Sequence, residues 1–161
     1  MVTPIRPTTA KVREALINIW RAQLQGAAFL DLCTGTGAVA LAARQAGARL
    51  VVAVDSSAKA IRALAPQANR DNFFVVQGRL PGCLRHLKTA FDLIYFDPPY
   101  ASGLYLPVLT GILTYQLLAP EGELAVEHHQ HVPLPDHVQH LVRVRQKTYG
   151  DTVLSFYRLA D

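Results

Sequence analysis

The chain has 161 residues, half of them hydrophobic, with a formal charge of +4 and an isoelectric point of about 9.3. That length suits one domain and that apolar content supports a full core, which excludes a disordered chain. No run of ~18 apolar residues occurs, the opening MVTPIRPTT lacks the apolar centre of a signal peptide, and Cys33 and Cys83 form no metal or disulfide pattern. No membrane span is therefore expected, and a reducing cytoplasm fits. The mildly basic balance suits a polyanionic partner without establishing one.

No repeat, linker or low-complexity segment interrupts the chain. Thr8-Thr9 precedes a helical pattern with Val12, Leu16, Ile19 and Trp20 on one face. Ala27 to Leu30 reads as a buried strand that ends at Asp31. After a glycine-rich turn, a small-residue helix runs from Ala38 to Ala46 and stops at Gly47. Leu50 to Val54 is a second strand ending at Asp55, and Ser57 to Ala68 a helix. Phe73 to Val76 is a third strand, and Leu84 and Leu87 mark a short helix. Phe91 to Phe96 is a fourth strand, stopped by Asp97-Pro98-Pro99. Leu104 to Leu118 reads as a helix and Glu123 to Glu127 as a fifth strand. Leu141 to Tyr149 and Thr152 to Leu159 flank Gly150-Asp151 as a closing hairpin.

Continuous apolar strands that alternate with helices predict an α/β fold, a mostly parallel sheet covered on both faces, with the hairpin adding antiparallel strands. Polar residues gather at the strand ends: Asp31, Asp55, Gln77 and Asp97. In open α/β sheets ligands bind beyond those carboxyl ends, so these residues are expected to share one cleft.

Gly35-Thr36-Gly37-Ala38-Val39-Ala40 fits G-x-G-x-x-A between a strand and a helix. Asp55 ends the next strand, where its carboxylate can accept from ribose hydroxyls. Dinucleotide and S-adenosylmethionine sites share these features. Asp31 separates them. A carboxylate just before the glycines would repel a pyrophosphate but attract the ammonium of a methionine moiety. At ~4 Å and an effective dielectric of ~20 either interaction is about 4 kcal/mol, so its sign decides. The alternative is that Asp31 caps the turn.

In Asp97-Pro98-Pro99-Tyr100 two prolines remove backbone donors, leaving the Asp97 carboxylate and the Pro98 carbonyl as acceptors. An exocyclic base amine has two hydrogens to place there, which would turn its lone pair toward a methyl donor. Tyr100 can stack on an extruded base. D-P-P is also good turn chemistry; it is the company of Asp31 and the glycines that favours the functional reading.

Together these residues resemble the class I S-adenosylmethionine methyltransferases that act on amines. More closely, the chain resembles the bacterial 16S rRNA guanine-N2 methyltransferases of the RsmD family. Arg6-Pro7-Thr8-Thr9-Ala10-Lys11-Val12-Arg13-Glu14-Ala15-Leu16-Ile17-Asn18 is similar to that family's opening R-P-T-T-x-x-V-R-E-x-L-F-N, and Asp31 to Gly37 is similar to its D-x-x-A-G-S-G loop. Asp97 to Tyr100 matches its D-P-P-[FY], and Thr152 to Leu159 resembles its closing segment. The resemblance spans nearly the whole chain. It implies a Rossmann-like, seven-stranded domain over 1–161 and methylation of a guanine N2 amine in small-subunit rRNA, by a cytoplasmic monomer that meets rRNA or the small-subunit particle. It implies cofactor contacts at Asp31, Gly35, Thr36, Gly37, Asp55, Ser56, Gln77 and Gly78, and target-base contacts at Asp97, Pro98, Pro99 and Tyr100. It places residues 1–25 as a segment and helix over the cleft, with Arg6, Lys11 and Arg13 as RNA phosphate contacts; the alternative for these cations is a solvated helix face.

The chain departs from that pattern in three places. Only five residues precede Arg6, where the family has a basic, glycine-containing β segment. Arg79 stands where the family often has Asp or Asn; arginine only donates, which leaves Gln77 as the acceptor for the cofactor's adenine. Ile17 replaces the common Phe. His128-His129-Gln130-His131 fits no standard zinc spacing and reads as a solvated strand end, so no metal is expected. Carbon methylation of a pyrimidine needs a cysteine nucleophile, and neither cysteine adjoins the D-P-P-Y segment. Trp20, Tyr105 and Tyr115 read as packing residues. Two rival functions stay open: adenine-N6 methylation of DNA or RNA, where D-P-P-Y is equally at home, and a non-catalytic RNA-binding or assembly module. A nicotinamide oxidoreductase is disfavoured by Asp31.

Overall fold

Apolar runs of five or six residues become strands buried on both faces. A computed structural model describes residues 9–68, 70–99 and 101–161. Its strands are β1 (Ala28–Leu32), β2 (Leu50–Asp55), β3 (Phe73–Gln77), β4 (Phe91–Phe96), β5 (Leu118–His129), β6 (His137–Val138), β7 (Leu141–Tyr149) and β8 (Thr152–Leu159). They form one sheet in the order β3-β2-β1-β4-β5-β8-β7-β6. The pairs from β3 to β5 are parallel, and β5-β8, β8-β7 and β7-β6 are antiparallel. The chain order reverses between β1 and β4, the switch point at which such sheets open a crevice.

Alternation along the strands divides the core into two faces. One carries Phe29, Val51, Leu93, Tyr95, Ala125 and Phe156 under α1 (Ala10–Ile19), α3 (Ala38–Gln45) and Leu64 of α4 (Ala58–Leu64). The other carries Leu30, Leu32, Val54, Ile94, Phe96 and Val126 under α5 (Tyr105–Thr114) and the 3-10 segment Gly82–His86. α1 starts where Thr9 accepts the Val12 amide at 3.3 Å, an ordinary side-chain N-cap. A short α2 (Arg21–Leu24) follows it. α1 lies against the sheet face, burying Val12, Leu16, Ile17 and, just beyond its end, Trp20. It is therefore a layer of the core. Residues 1–8, including Arg6, lie outside the described residues, as do Asn69 and Tyr100.

Three element boundaries differ from the sequence expectation. α5 stops at Thr114, not Leu118: the Leu117 amide turns back to the Ile112 carbonyl at 2.9 Å across Gln116, whose φ is +52°. This is a Schellman-like end with glutamine where glycine is usual, so no glycine marks it. β5 then begins at Leu118 and pairs with Phe91 before reaching Glu123. The helix expected over Ser57 to Ala68 is α4 plus a 3-10 turn over Ala65–Gln67, where Pro66 removes a donor. An eighth strand, β6, joins the seven expected; two residues long, it is too short to leave a periodic pattern.

Candidate active site

Register brings the strand-end residues together. Leu32 of β1 pairs with Val54 of β2 and with Phe96 of β4. The next residues along these strands are Cys33, Asp55 and Asp97, so Cys33 sits between the two aspartates. Asp31, one residue further in, pairs with Ala53 and Tyr95. The Thr34 and Asp97 amides bond the Val54 and Leu32 carbonyls at 2.9 and 3.3 Å, which extends the sheet contacts into the loops. The first, second and fourth strand ends thus occupy one edge. Gln77 ends β3 on the outer side of Asp55, with which it pairs.

Asp31 is buried, with 1% of its surface exposed. Its Oδ2 accepts from the Thr34 hydroxyl at 2.7 Å, while Oδ1 is buried with no hydrogen-bond partner. Burial pushes its carboxyl up to about 7; the Thr34 bond and the nearby Ala40 amide pull it down in part, and Asp55 adds to the rise. A buried oxygen without a donor costs roughly 1–3 kcal/mol, more when charged, so its retention points to a donor that arrives with a ligand.

The glycine loop is held by the second strand end. Asp55 accepts from the Gly35 amide through Oδ2 and from the Ser57 amide through Oδ1, both at 2.9 Å. Each carboxylate oxygen has a further lone pair for a ribose hydroxyl. Gly35 has φ +57°, and a side chain there would point into open space, leaving its backbone approachable. Gly37 has φ +80°, and a Cβ would come within 2.5 Å of Leu64, so it is fixed by packing against α4. Thr36 and Ser56 lie exposed in the same loops. Gln77 donates its amide to the Ser56 carbonyl at 3.5 Å. Gly78 has a separate reason to be glycine: a Cβ there would approach the Cys83 Cβ to 2.6 Å. Arg79 is exposed.

At the fourth strand end Pro98 is buried and Pro99 exposed, and the Ser102 amide bonds the Pro99 carbonyl at 3.2 Å. The expected stacking residue, Tyr100, lies outside the described residues. Lys11 is exposed and Arg13 half-buried on α1.

Two sequence expectations are corrected here. Cys33 does adjoin the D-P-P segment, through register instead of chain order. Its chemistry still excludes a nucleophile, because burial, with Asp55, Asp31 and Asp97 adding to it, pushes the thiol up to about 12. The histidine run is not a solvated strand end at its first position. His128 is 7% exposed. Its Nδ1 faces the His129 and Val132 carbonyls at 3.1 and 3.0 Å, so it carries the ring proton, and Nε2 accepts from the Ser155 hydroxyl at 2.8 Å. Burial lowers its pKa, so the ring is neutral and structural.

Sequence reasoning missed Tyr95 and Glu127. The Tyr95 hydroxyl donates to Glu127 at 2.6 Å, and Glu127 is only 7% exposed at the carboxyl end of β5. The available signal was a charged residue inside an apolar strand, which survives burial only with partners.

The sequence model of the family described as "Conserved hypothetical protein 95" matches residues 2–158. The chain belongs to this family. Among curated relatives of this Conserved hypothetical protein 95 member is the Bacillus subtilis (strain 168) protein named "Putative rRNA methyltransferase YlbH". It is 32% identical over 97% of the chain and 89% of the relative. "Ribosomal RNA small subunit methyltransferase D" of Escherichia coli (strain K12) is 28% identical over 96% of the chain and 79% of the relative. The resemblance to RsmD-type methyltransferases read from the motifs is thereby borne out. Among solved structures, the Escherichia coli protein titled "Putative methyltransferase yhhF" superposes with a TM-score of 0.86 at 24% identity, covering 98% of the chain and 91% of that structure. The fold is that of the class I methyltransferases.

Proposed function

We propose that the chain methylates the exocyclic N2 amine of a guanine in small-subunit ribosomal RNA. One observation carries this reading: a buried carboxylate with a partnerless oxygen shares a sheet edge with the acceptor-rich D-P-P turn. The names of the curated relatives support the RNA substrate.

The cofactor is S-adenosylmethionine, which supplies a methyl group activated on a sulfonium. The residues fit it. Asp31 Oδ1 would receive the ammonium of its methionine end. Asp55, braced by the Gly35 and Ser57 amides, would accept from its ribose hydroxyls, and Gln77 from its adenine amine. A pyrophosphate in the same place would meet Asp31 with the wrong sign. Asp97 and the Pro98 carbonyl hold the two hydrogens of the target amine, which directs the nitrogen lone pair along the transfer line. Tyr100 stacks on the extruded base, and Arg6, Lys11 and Arg13 meet RNA phosphates. The chemistry needs no covalent enzyme intermediate, in keeping with the inert Cys33.

Incubation with tritiated cofactor and small-subunit particles, naked rRNA or duplex DNA tests the reading. Label recovered as N2-methylguanosine in small-subunit rRNA is the expected result. Label in DNA alone, or as N6-methyladenosine, overturns it. Asp97→Ala should lower transfer by roughly 100- to 1,000-fold, the scale of losing a group that stabilises the transition state, with cofactor affinity nearly unchanged.

A further inference from the structure

The layer that covers the α5 face of the sheet carries charge of one sign only. Residues 72–91 hold Arg79, Arg85 and Lys88 and no acid; residues 98–120, which include α5, hold no charged residue. The Gly78 amide bonds the Asp55 carbonyl at 3.0 Å at the carboxyl edge, and Ala90 precedes the first residue of β4 at the amino edge. Between them Leu80, Leu84 and Leu87 pack into the core, so this segment crosses the whole face. Where it meets the end of α5 a hollow of about 420 Å³ opens. Arg85, Lys88, Tyr115 and Gln116 line it, and no carboxylate among the described residues does.

The fold makes no use of these cations. Among the described residues the ion pairs are those of Arg143, Arg145 and Arg158. Arg85 gives its Nε to His86 at 3.3 Å, which leaves the two terminal nitrogens of its fork. The end of α5 does not need a cation to close it. The Tyr115, Gln116 and Leu117 amides already take the Gly111, Leu113 and Ile112 carbonyls, at 3.0, 3.1 and 2.9 Å. Tyr115 is 44% exposed. An open aromatic ring in one hollow with two cations suits a ligand that brings both anions and flat rings, which is the chemistry of a nucleic acid strand.

We infer that this hollow is a second RNA-binding site, in which Arg85 and Lys88 hold phosphates of a single-stranded rRNA segment and Tyr115 stacks on one of its bases. The inference rests on the reading of the chain as an rRNA methyltransferase. The hollow lies at the amino end of β4 and the D-P-P turn at its carboxyl end, six residues or ~20 Å away. A strand stacked at ~3.4 Å per nucleotide covers that distance in about six nucleotides. Arg79, exposed near the carboxyl edge on the same segment, lies along the way. Lys11 and Arg13 belong to α1 on the opposite face, so the bound RNA straddles the catalytic edge. The site grips RNA and takes no part in methyl transfer, so it acts on KM and leaves kcat alone.

The test uses the full chain and a fluorescein-labelled single-stranded RNA about twelve nucleotides long, twice that span. Fluorescence anisotropy gives its affinity across roughly 50–200 mM salt. Arg85→Gln with Lys88→Gln should weaken binding at least about tenfold and lower the salt slope by about 1.4, two contacts at ~0.7 each. Tyr115→Leu should weaken it roughly 5- to 100-fold, the worth of one stacked base, with the slope unchanged. Arg49→Gln with Arg62→Gln, an equal change of charge away from this layer, should leave both nearly as they were. All five positions are exposed, and calorimetric titration with S-adenosylmethionine should give the wild-type affinity in each variant. With naked small-subunit rRNA and tritiated cofactor, the two hollow variants should raise KM for RNA and keep kcat. Wild-type RNA affinity in both hollow variants, or an equal loss in the remote variant, overturns the inference. So does retained RNA binding with methylation lost on assembled particles alone, which would make the partner a ribosomal protein. A wild-type protein that binds no RNA defeats the parent reading and this one together. Labelled rRNA with unaltered affinities in the hollow variants defeats this one alone.

Discussion

Two buried carboxylates at opposite edges of one sheet have opposite fates. Glu123, at 3% exposure, takes the Trp20 indole N–H at 2.9 Å, the Arg145 guanidinium at 3.0 Å and the Arg158 guanidinium at 2.8 Å. Burial alone would raise its pKa; those three donors outweigh it and hold the carboxyl below the usual range. Asp31, at 1%, has one donor, one empty oxygen and a carboxyl pushed up to about 7. Glu123 pairs with Leu93 in the amino half of β4, whereas Asp31 pairs with Tyr95 near its carboxyl end. A carboxylate that serves the fold comes with its partners built in. Asp31, proposed to meet the cofactor, is left short of them, and the fold carries the cost.

The sharpest way to break this contrast is Asp31→Asn. It removes the charge proposed to face the cofactor's ammonium, an interaction of about 3–4 kcal/mol, so cofactor affinity at pH 8 should fall on the order of 100- to 1,000-fold. The same variant should melt higher than the wild-type apoprotein at pH 8, because an uncharged group no longer has to be buried. Titration calorimetry and a thermal melt check the two signs, and a variant that binds the cofactor normally would remove Asp31 from the site. Glu123→Ala has one sign only. It strands the Trp20 N–H and leaves two guanidinium groups half-exposed, a loss of about 2–3 kcal/mol, or roughly 5–10 °C in melting temperature for a chain of this size. Cofactor affinity should stay unchanged.

The two groups also respond oppositely to pH. For Asp31 the folded value, about 7, lies above the ordinary carboxyl value of 3.8, so the native state binds its proton more tightly. Its contribution therefore worsens as pH rises from 3.8 to about 7, reaching a cost of about 4 kcal/mol above that window. Glu123 is depressed, so it stabilises the fold above its ordinary value of 4.5 and ceases to as pH falls below that. Cofactor affinity should hence decline about tenfold per pH unit below 7, where Asp31 is neutral. In Asp31→Asn this dependence should vanish. An affinity flat between pH 6 and 8 in the wild-type protein would separate Asp31 from the ammonium.

Much of the carboxyl edge was legible in the sequence, because its chemistry is written in runs and turns. Apolar strands announce a sheet covered on both faces, and Asp31, Asp55 and Asp97 each follow such a run. Gly35 and Gly37 stand where the backbone needs φ near +57° and +80°. The amino edge was not legible. Glu123, Arg145 and Arg158 are 22 and 35 residues apart from acid to base, and only the pairing of β5 with β8 and β8 with β7 assembles them. Pairing of β1 with β4 and of β4 with β5 likewise places Cys33 beside Asp97 and Tyr95 against Glu127, contacts that no spacing along the chain encodes. The end of α5 was hidden for a local reason, since Gln116 adopts the left-handed turn without the glycine that usually signals it.

The finest test of the contrast removes a single donor from each carboxylate. Arg158→Ala takes one of three from Glu123, on a side chain already 43% exposed, and should cost no more than about 1 kcal/mol, the scale of a solvent-facing ion pair. Thr34→Val takes the only hydrogen-bonding side chain from Asp31 and should cost about 1 kcal/mol in stability at pH 8, a similar amount. What differs is the titration. The Thr34 bond favours the ionised form of Asp31, so its loss pushes that carboxyl further above 7 and moves the pH at which cofactor affinity declines upward with it. Glu123 keeps two donors and stays ionised, so Arg158→Ala should leave the affinity profile where it was. Equal melting temperatures with a displaced affinity profile in Thr34→Val alone would set ligand-facing strain apart from structural pairing; coincident profiles would mean that Asp31 ionises for the sake of the fold.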